Sequence, residues 1–339
     1  QIAGTILFIK GLTKSWLMLG AATIWALSLY AYHGPRLTTP LLMISLVIIF
    51  RHKLRQIRIR RLIISGLGWL ILVVPIIRLA ISQPIAQNRL AGISIFIREV
   101  TLKPAQEESR TDAWLPAVTF HNPAWVYGLA IARQYWKYLT GDYLFFDSSA
   151  VRYFNVKSVG LMYLWDLPFL IIGLYQLWRW RRQPASQLAL TWLVMAPFPG
   201  ALTLGPANAG RGFMLLPMVQ IVTAMGVVEV WKKRWLGKWA KGIAVGGLIY
   251  SLLVFGHQYF VHSRYEFAGQ WGYGLNEAVK LVSSLEDSVD KIIFTDVYKE
   301  PYVYVLFYGD KSPEWFNSLV NKQRHWFIGY SRFDKYEFR

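Results

Sequence analysis

The chain has 339 residues, of which 54% are hydrophobic, 16% aromatic and only 17% charged, whereas a soluble domain carries about a quarter charged residues. Cysteine is absent, which excludes disulfide frameworks, thiol catalysis and Cys-type zinc sites. The formal charge of +18 would suit a nucleic-acid binder, but it is unevenly spread. Residues 263–339 hold ten Lys/Arg against eleven Asp/Glu, a net of −1, and residues 1–262 hold 27 against eight, a net of +19. The positive charge belongs to the apolar part of the chain, as in membrane proteins whose basic residues occupy short cytoplasmic loops. No nucleic-acid partner is expected.

A membrane-spanning helix needs about 20 mostly apolar residues. Seven stretches qualify or come close: Ser15–Tyr32, Leu37–Phe50, Leu62–Gln83, Val159–Trp178, Leu188–Leu204, Phe213–Trp231 and Gly242–Val261. The second is the shortest. The chain begins at Gln1 without a Met and without a cleavable signal segment, so an upstream part is expected. Three acid-free basic clusters lie between the spans: Arg51–Arg61 with six Lys/Arg, then Arg179, Arg181 and Arg182, then Lys232, Lys233, Arg234, Lys238 and Lys241. Two spans separate each pair of clusters, so all three share one side, which should be cytoplasmic. Lys10 and Lys14 before the first span agree. The outer side then receives the turn His33–Arg36, a long loop 84–158, the turn Pro206–Gly212 and the tail from His262. The expected fold is an all-α polytopic bundle of about seven spans over 1–262 in the plasma (inner) membrane. A small extracytoplasmic α/β domain follows over 263–339. Within it, Trp271–Leu285 has helical spacing, Lys291–Val297 reads as a buried strand, and Tyr302–Tyr308 fits either.

Nucleophile-elbow, zinc-protease and phosphate-loop motifs are all missing, and the six histidines are scattered, so no metal site is expected from them. Candidate chemistry falls on the outer loops. Tyr30, Tyr32 and Arg36 surround the end of the first span; an aromatic belt with a Gly34-Pro35 turn explains them equally well. Arg211 lies at the outer mouth of a span between Gly210 and Gly212, a cation against the prevailing side bias, although snorkelling to headgroups also accounts for it. A guanidinium fork suits two oxygens of a lipid-linked phosphate. Asp166 falls inside the fourth span, where an acid is expensive and suspect of function, or else caps the break at Pro168. In the long loop Glu107 and Glu108 read as solvated. Ile93–Ile97 and Trp125–Tyr138 read as amphipathic helices on the bilayer. His121, Asn122, Asp147 and Arg152 are further polar candidates, the last two beside the aromatic run Tyr143–Phe146.

In order, these features resemble the C-terminal portion of GT-C glycosyltransferases. The likeness is closest to glycosyltransferase family 39, the group of protein O-mannosyltransferases and lipid A aminoarabinose transferases. The resemblance rests on Ser28-Leu29-Tyr30-Ala31-Tyr32 with Arg36–Pro40, on Tyr143–Asp147 leading to Gly160–Tyr163 and Asp166–Phe169, and on Arg211 with Leu215-Leu216-Pro217. The tail run from Tyr265 to Trp271, KIIFTD and LFYG complete it, so that it covers Leu17 to about Gly309. It implies an enzyme that moves a sugar from a polyprenyl-phosphate donor to a lipid, protein or glycan acceptor at the outer membrane face. Arg211 and Arg36 would hold the donor phosphate, Tyr30 and Tyr32 line the site, and Asp147 and Arg152 position substrate. Cofactors are not implied, a divalent metal remaining open. The family's catalytic acid, in the first outer loop, has no counterpart before Tyr30, and the first acid is Glu99. It is expected upstream of Gln1, with this chain inactive alone. A lipid flippase or transporter, or a non-catalytic scaffold, is the alternative; the near absence of charges inside the spans weighs against transport.

Overall fold

A computed structural model describes residues 1–82, 92–149, 155–298, 300–320 and 331–339. The chain divides into two units, Gln1–Val254 and Phe255–Arg339, so the division falls earlier than the sequence reading at 262/263. Helices of eight or more residues are labelled below.

The first unit opens with an antiparallel pair, α1 (Ile2–Gly11) and α2 (Leu17–Ala31). Phe8 packs on Trp25 with ring centroids 5.6 Å apart. Gly4 and Gly11 of α1 abut Trp25 and Met18 of α2, which fixes the direction. Its ten residues leave α1 well short of a span, and it is absent from the predicted elements. A single extended residue, Tyr32, separates α2 from α3 (His33–Ile49). The expected turn His33–Arg36 is instead the first turn of α3. Pro35 explains this, because its fixed φ suits a helix start and its missing N–H has no intrahelical partner to lose there. After a short basic connection α4 (Ile59–Ser82) packs along α2. Much of it is bare: Ile71 is 70% and Ile81 72% exposed.

In the long loop α5 (Pro123–Lys137) realises the predicted amphipathic helix and is capped by Asn122, whose side-chain oxygen accepts from Trp125 N at 2.9 Å. Ile93–Ile97 does not form the expected helix. It runs beside 202–204, with Ile95 N donating to Leu202 O at 3.0 Å and Leu204 N to Ile93 O at 2.8 Å. Tertiary pairing thus overrides an apolar pattern too short to hold a helix.

The predicted fourth span is helical only from its middle, as a 3-10 turn Leu164–Asp166 and then α6 (Leu167–Arg179). Its first residues are held otherwise, with Gly160 pressed against the Leu144–Phe145 backbone and Met162 N donating to Leu144 O at 2.7 Å. The fifth becomes α7 (Pro184–Met195) and a short turn of helix, Phe198–Ala201, interrupted around Pro197. Then come Ala209–Gly212, α8 (Leu216–Lys232) and α9 (Arg234–His257). Helices α6 and α8 meet backbone to backbone. A Cβ at Gly173 would collide with the Val222 carbonyl, and one at Gly226 with the Phe169 carbonyl. Small residues that admit such approach are the usual contact between membrane helices. Three helical stretches are long and apolar enough to cross a membrane: Ile59–Leu79, Ala209–Lys232 and Gly237–Glu266.

In the second unit Gly272 and Gly274 take left-handed φ values of 71° and 84°, which glycine adopts without a Cβ penalty. The predicted helix therefore starts late, as α10 (Leu275–Leu285). Strand β1 (Ile292–Phe294) matches the predicted strand, and the ambiguous 302–308 segment is helical, as α11 (Pro301–Tyr308), followed by α12 (Pro313–Val320). Strands β2 (Arg332–Phe333) and β3 (Tyr336–Phe338) complete a mixed sheet of order β1-β3-β2, β1 parallel and β2 antiparallel to β3. Val279, Val305, Phe294, Phe333, Tyr336 and Phe338 form its core. Lys311 pairs with Glu286 at 2.8 Å, and Lys291 pairs with Glu337.

Candidate functional site

A cavity of about 320 Å3 opens at the His33 end of α3. Its walls come from three places: Tyr32, His33 and Leu37 at the start of α3; Ser94 and Phe96 of the long loop; and Leu202, Thr203 and Arg211. Its volume falls within the ~300–1,000 Å3 usual for small-molecule sites. The lining is mainly apolar, and Arg211 is the one Lys or Arg among its described residues.

Arg211 is held by its surroundings. Asn208 caps the helical turn that carries it, accepting from Gly210 N at 2.8 Å. One terminal nitrogen, Nη1, donates to Thr203 Oγ1 and to the Leu204 carbonyl, both at 2.9 Å. Among the described residues no carboxylate pairs with it and its remaining N–H groups donate to no protein acceptor. A guanidinium anchored on one side, with donors to spare, is arranged to receive an oxyanion.

Behind the helical turn that carries Arg211, the rings of Tyr138 and Tyr143 meet edge to face with centroids 5.0 Å apart. Tyr138 lies against Gly200, and both rings lie against Gly212. A side chain at either glycine would strike a ring, so these glycines are what lets the long loop dock here. Burial pushes the Tyr138 phenol up, with the Arg211 charge pulling it partly back, and burial raises Tyr143 as well. Both rings stay neutral. The loop is further tied down by Gln134, whose Nε2 donates to the Thr203 and Gly205 carbonyls at 2.8 and 2.9 Å.

The predicted site residues separate. Tyr32 and Arg211 share the cavity. Arg36 does not line it: its Nε donates to the Leu29 carbonyl at 3.1 Å and its Nη1 meets His33 Nδ1 at 3.1 Å. It satisfies a carbonyl left open at the end of α2 and braces His33. Tyr30 faces elsewhere, its hydroxyl donating to the Leu72 carbonyl of α4 at 2.6 Å. Asp147 orders its own loop, accepting from Ser149 N at 3.3 Å and Asn155 Nδ2 at 2.8 Å. Arg152 lies outside the described residues. Asp166 caps the start of its helix, accepting from Tyr163 N at 2.9 Å, so of its two sequence readings the cap accounts for its contacts.

Sequence reasoning passed over Thr203, Ser94, Tyr138 and the imidazole partner Asp112. Asp112 lies 2.9 Å from His121 Nε2, and only the fold joins that polar stretch to the histidine. Thr203 sat at the end of an apolar run and carried no signal of its own. No group of three or more His, Cys, Asp or Glu able to hold a metal occurs among the described residues. Comparison of the chain with protein-family models, curated proteins and solved structures finds no match, so the chemistry of this cavity rests on its geometry.

Proposed function

We propose that this chain forms part of a polytopic membrane glycosyltransferase of the GT-C type, taking a sugar from a polyprenyl-phosphate donor. The observation that carries the reading is Arg211, anchored by Thr203 and Leu204 yet with further donors unpaired among the described residues, in a mainly apolar cavity. An amphiphile with a phosphate head and an isoprenoid tail matches that combination. Seven spans, with the basic connections cytoplasmic and the long loop and tail outside, would put this cavity at the outer face. Three helical stretches already have the length and apolarity to cross a membrane. The shorter α6 and α7 would need the segments flanking them to reach across ~30 Å of hydrocarbon.

In this reaction an acceptor hydroxyl oxygen bonds to the anomeric carbon while the bond from that carbon to the phosphate oxygen breaks. Lipid phosphate leaves with the electron pair, and the hydroxyl proton passes to a base. Arg211 would bind the phosphate and offset the charge that grows on it as it leaves, a role that fixed donors in a low-dielectric site fill well. Tyr32 and Phe96 would shield the head from water. Among the described residues no carboxylate lines the cavity, so these residues are assigned donor binding, not proton abstraction.

The test is release of polyprenyl phosphate by the complete protein in proteoliposomes supplied with polyprenyl-phosphate hexoses and pentoses. Wild type should release it, and Arg211→Ala should do so ~10–100-fold more slowly, the scale of one hydrogen-bonded charge. Movement of intact donor between leaflets without release would favour a flippase. Neither release nor movement would leave a scaffold.

A further inference from the structure

A second and larger cavity, of about 560 Å3, lies at the other end of α3. It is walled by Phe8 of α1, Trp25 of α2, Leu62 and Trp69 of α4, and, at its rim, Arg51 and Arg55. Along α3 its lining begins at Met43, six residues or ~9 Å beyond Leu37 of the Arg211 cavity, and the two cavities share no lining residue. We infer that this cavity is a binding site for an acidic phospholipid.

Two observations carry the inference. First, the charge at the rim has no internal answer. There is no Asp or Glu before Glu99 in the sequence, and neither Arg51 nor Arg55 pairs with a carboxylate among the described residues. The only side-chain partner of Arg51 is the neighbouring His52 ring, at 3.4 Å. Second, the cavity is lined mainly by apolar and aromatic side chains, and one of them, Ile59 at the start of α4, is 69% exposed. Acyl chains can leave the cavity past Ile59. A cationic rim over an apolar slot between helices is what an anionic headgroup with two acyl chains fits; a free phosphate would leave the slot empty. The inference rests on the membrane placement proposed above but not on sugar transfer.

The experiment is native mass spectrometry of the full chain released from nanodiscs of mixed phosphatidylglycerol and phosphatidylcholine, scoring retained lipid. Wild type should retain phosphatidylglycerol about 30-fold over phosphatidylcholine, each of the two arginines adding roughly a factor of five. R51A/R55A should lose this preference. R58A/R60A, which removes the same charge from the same connection but from residues outside the cavity wall, should keep it. Equal loss in both double variants, no preference in wild type, or displacement of the lipid by millimolar inorganic phosphate would overturn the proposal. Should R51A/R55A fail to fold, photoactivatable phosphatidylglycerol decides with wild type: labelling of peptides around Phe8, Trp25 or Leu62 supports it, and labelling elsewhere alone overturns it. A chain that enters nanodiscs and shows this preference but transfers no sugar leaves the lipid site standing and the enzymatic reading withdrawn.

Discussion

The two units of this chain turn different surfaces outward. Both bury aromatic and aliphatic side chains, but in the first, glycines also bring α6 and α8 backbone to backbone and aliphatic side chains of α4 and α9 are turned outward; in the second, aromatic and branched side chains fill the centre, and α10 shows charged and polar residues to solvent. Gly173 and Gly226 touch carbonyls across the α6–α8 contact, whereas Val305 and Tyr336 are wholly enclosed by side chains. The difference teaches which solvent each unit was made for. Burying apolar area stabilises a fold only where the alternative is water. In lipid, the gain comes from close backbone packing.

The sharpest break of this comparison is Gly173→Leu. Its side chain must enter the Val222 backbone, so the α6–α8 contact should open, at a cost above ~4 kcal/mol, the exceptional end of single substitutions. Thermal unfolding in detergent should show it, while hydrogen exchange across Leu275–Leu285 stays at wild-type rates. Phe338→Ala should do the reverse, costing the second unit ~3–5 kcal/mol as a core cavity and accelerating exchange in that helix alone. Ile71→Asp touches no core in the first unit. It should leave unfolding in detergent nearly unchanged, yet weaken membrane insertion by ~2.5–3.5 kcal/mol if Ile71 faces hydrocarbon near mid-span, read by glycosylation-tag insertion assays. Equal insertion by both forms would remove α4 from the set of spans.

A smaller effect is confined to alkaline pH. Burial pushes the Tyr336 phenol up to about 12 from an ordinary 10.0. A raised folded pKa means the protonated ring favours the fold below pH 10, and that contribution is lost as pH climbs from 10 towards 12. Exchange in β1 and β3 should therefore rise above its intrinsic pH dependence over that interval in wild type. Tyr336→Phe should remove the extra rise.

Composition, the uneven spread of +18 charges and the apolar runs were enough to read a helical membrane unit followed by a small α/β unit, because hydropathy and helix length are local properties. Strand β1 and helix α5 were legible for the same reason: each carries its own periodicity or cap. Local pattern failed where a partner from far away decided the outcome. Ile93–Ile97 yielded to backbone pairing with 202–204, and the predicted fourth span lost its first residues to the Leu144 backbone. The candidate site divides along the same line. Arg211 stood out in sequence as a cation flanked by glycines, and Arg36 and Tyr30 looked equally apt; in the fold Arg36 bonds the Leu29 carbonyl and Tyr30 the Leu72 carbonyl, and neither lines the cavity. Ser94 became a site residue only because the long loop pairs with 202–204 beside Arg211. Sequence determined which residues seek lipid, water or a turn; the tertiary structure decided which arginine lines a cavity, since that depends on walls brought together from remote segments.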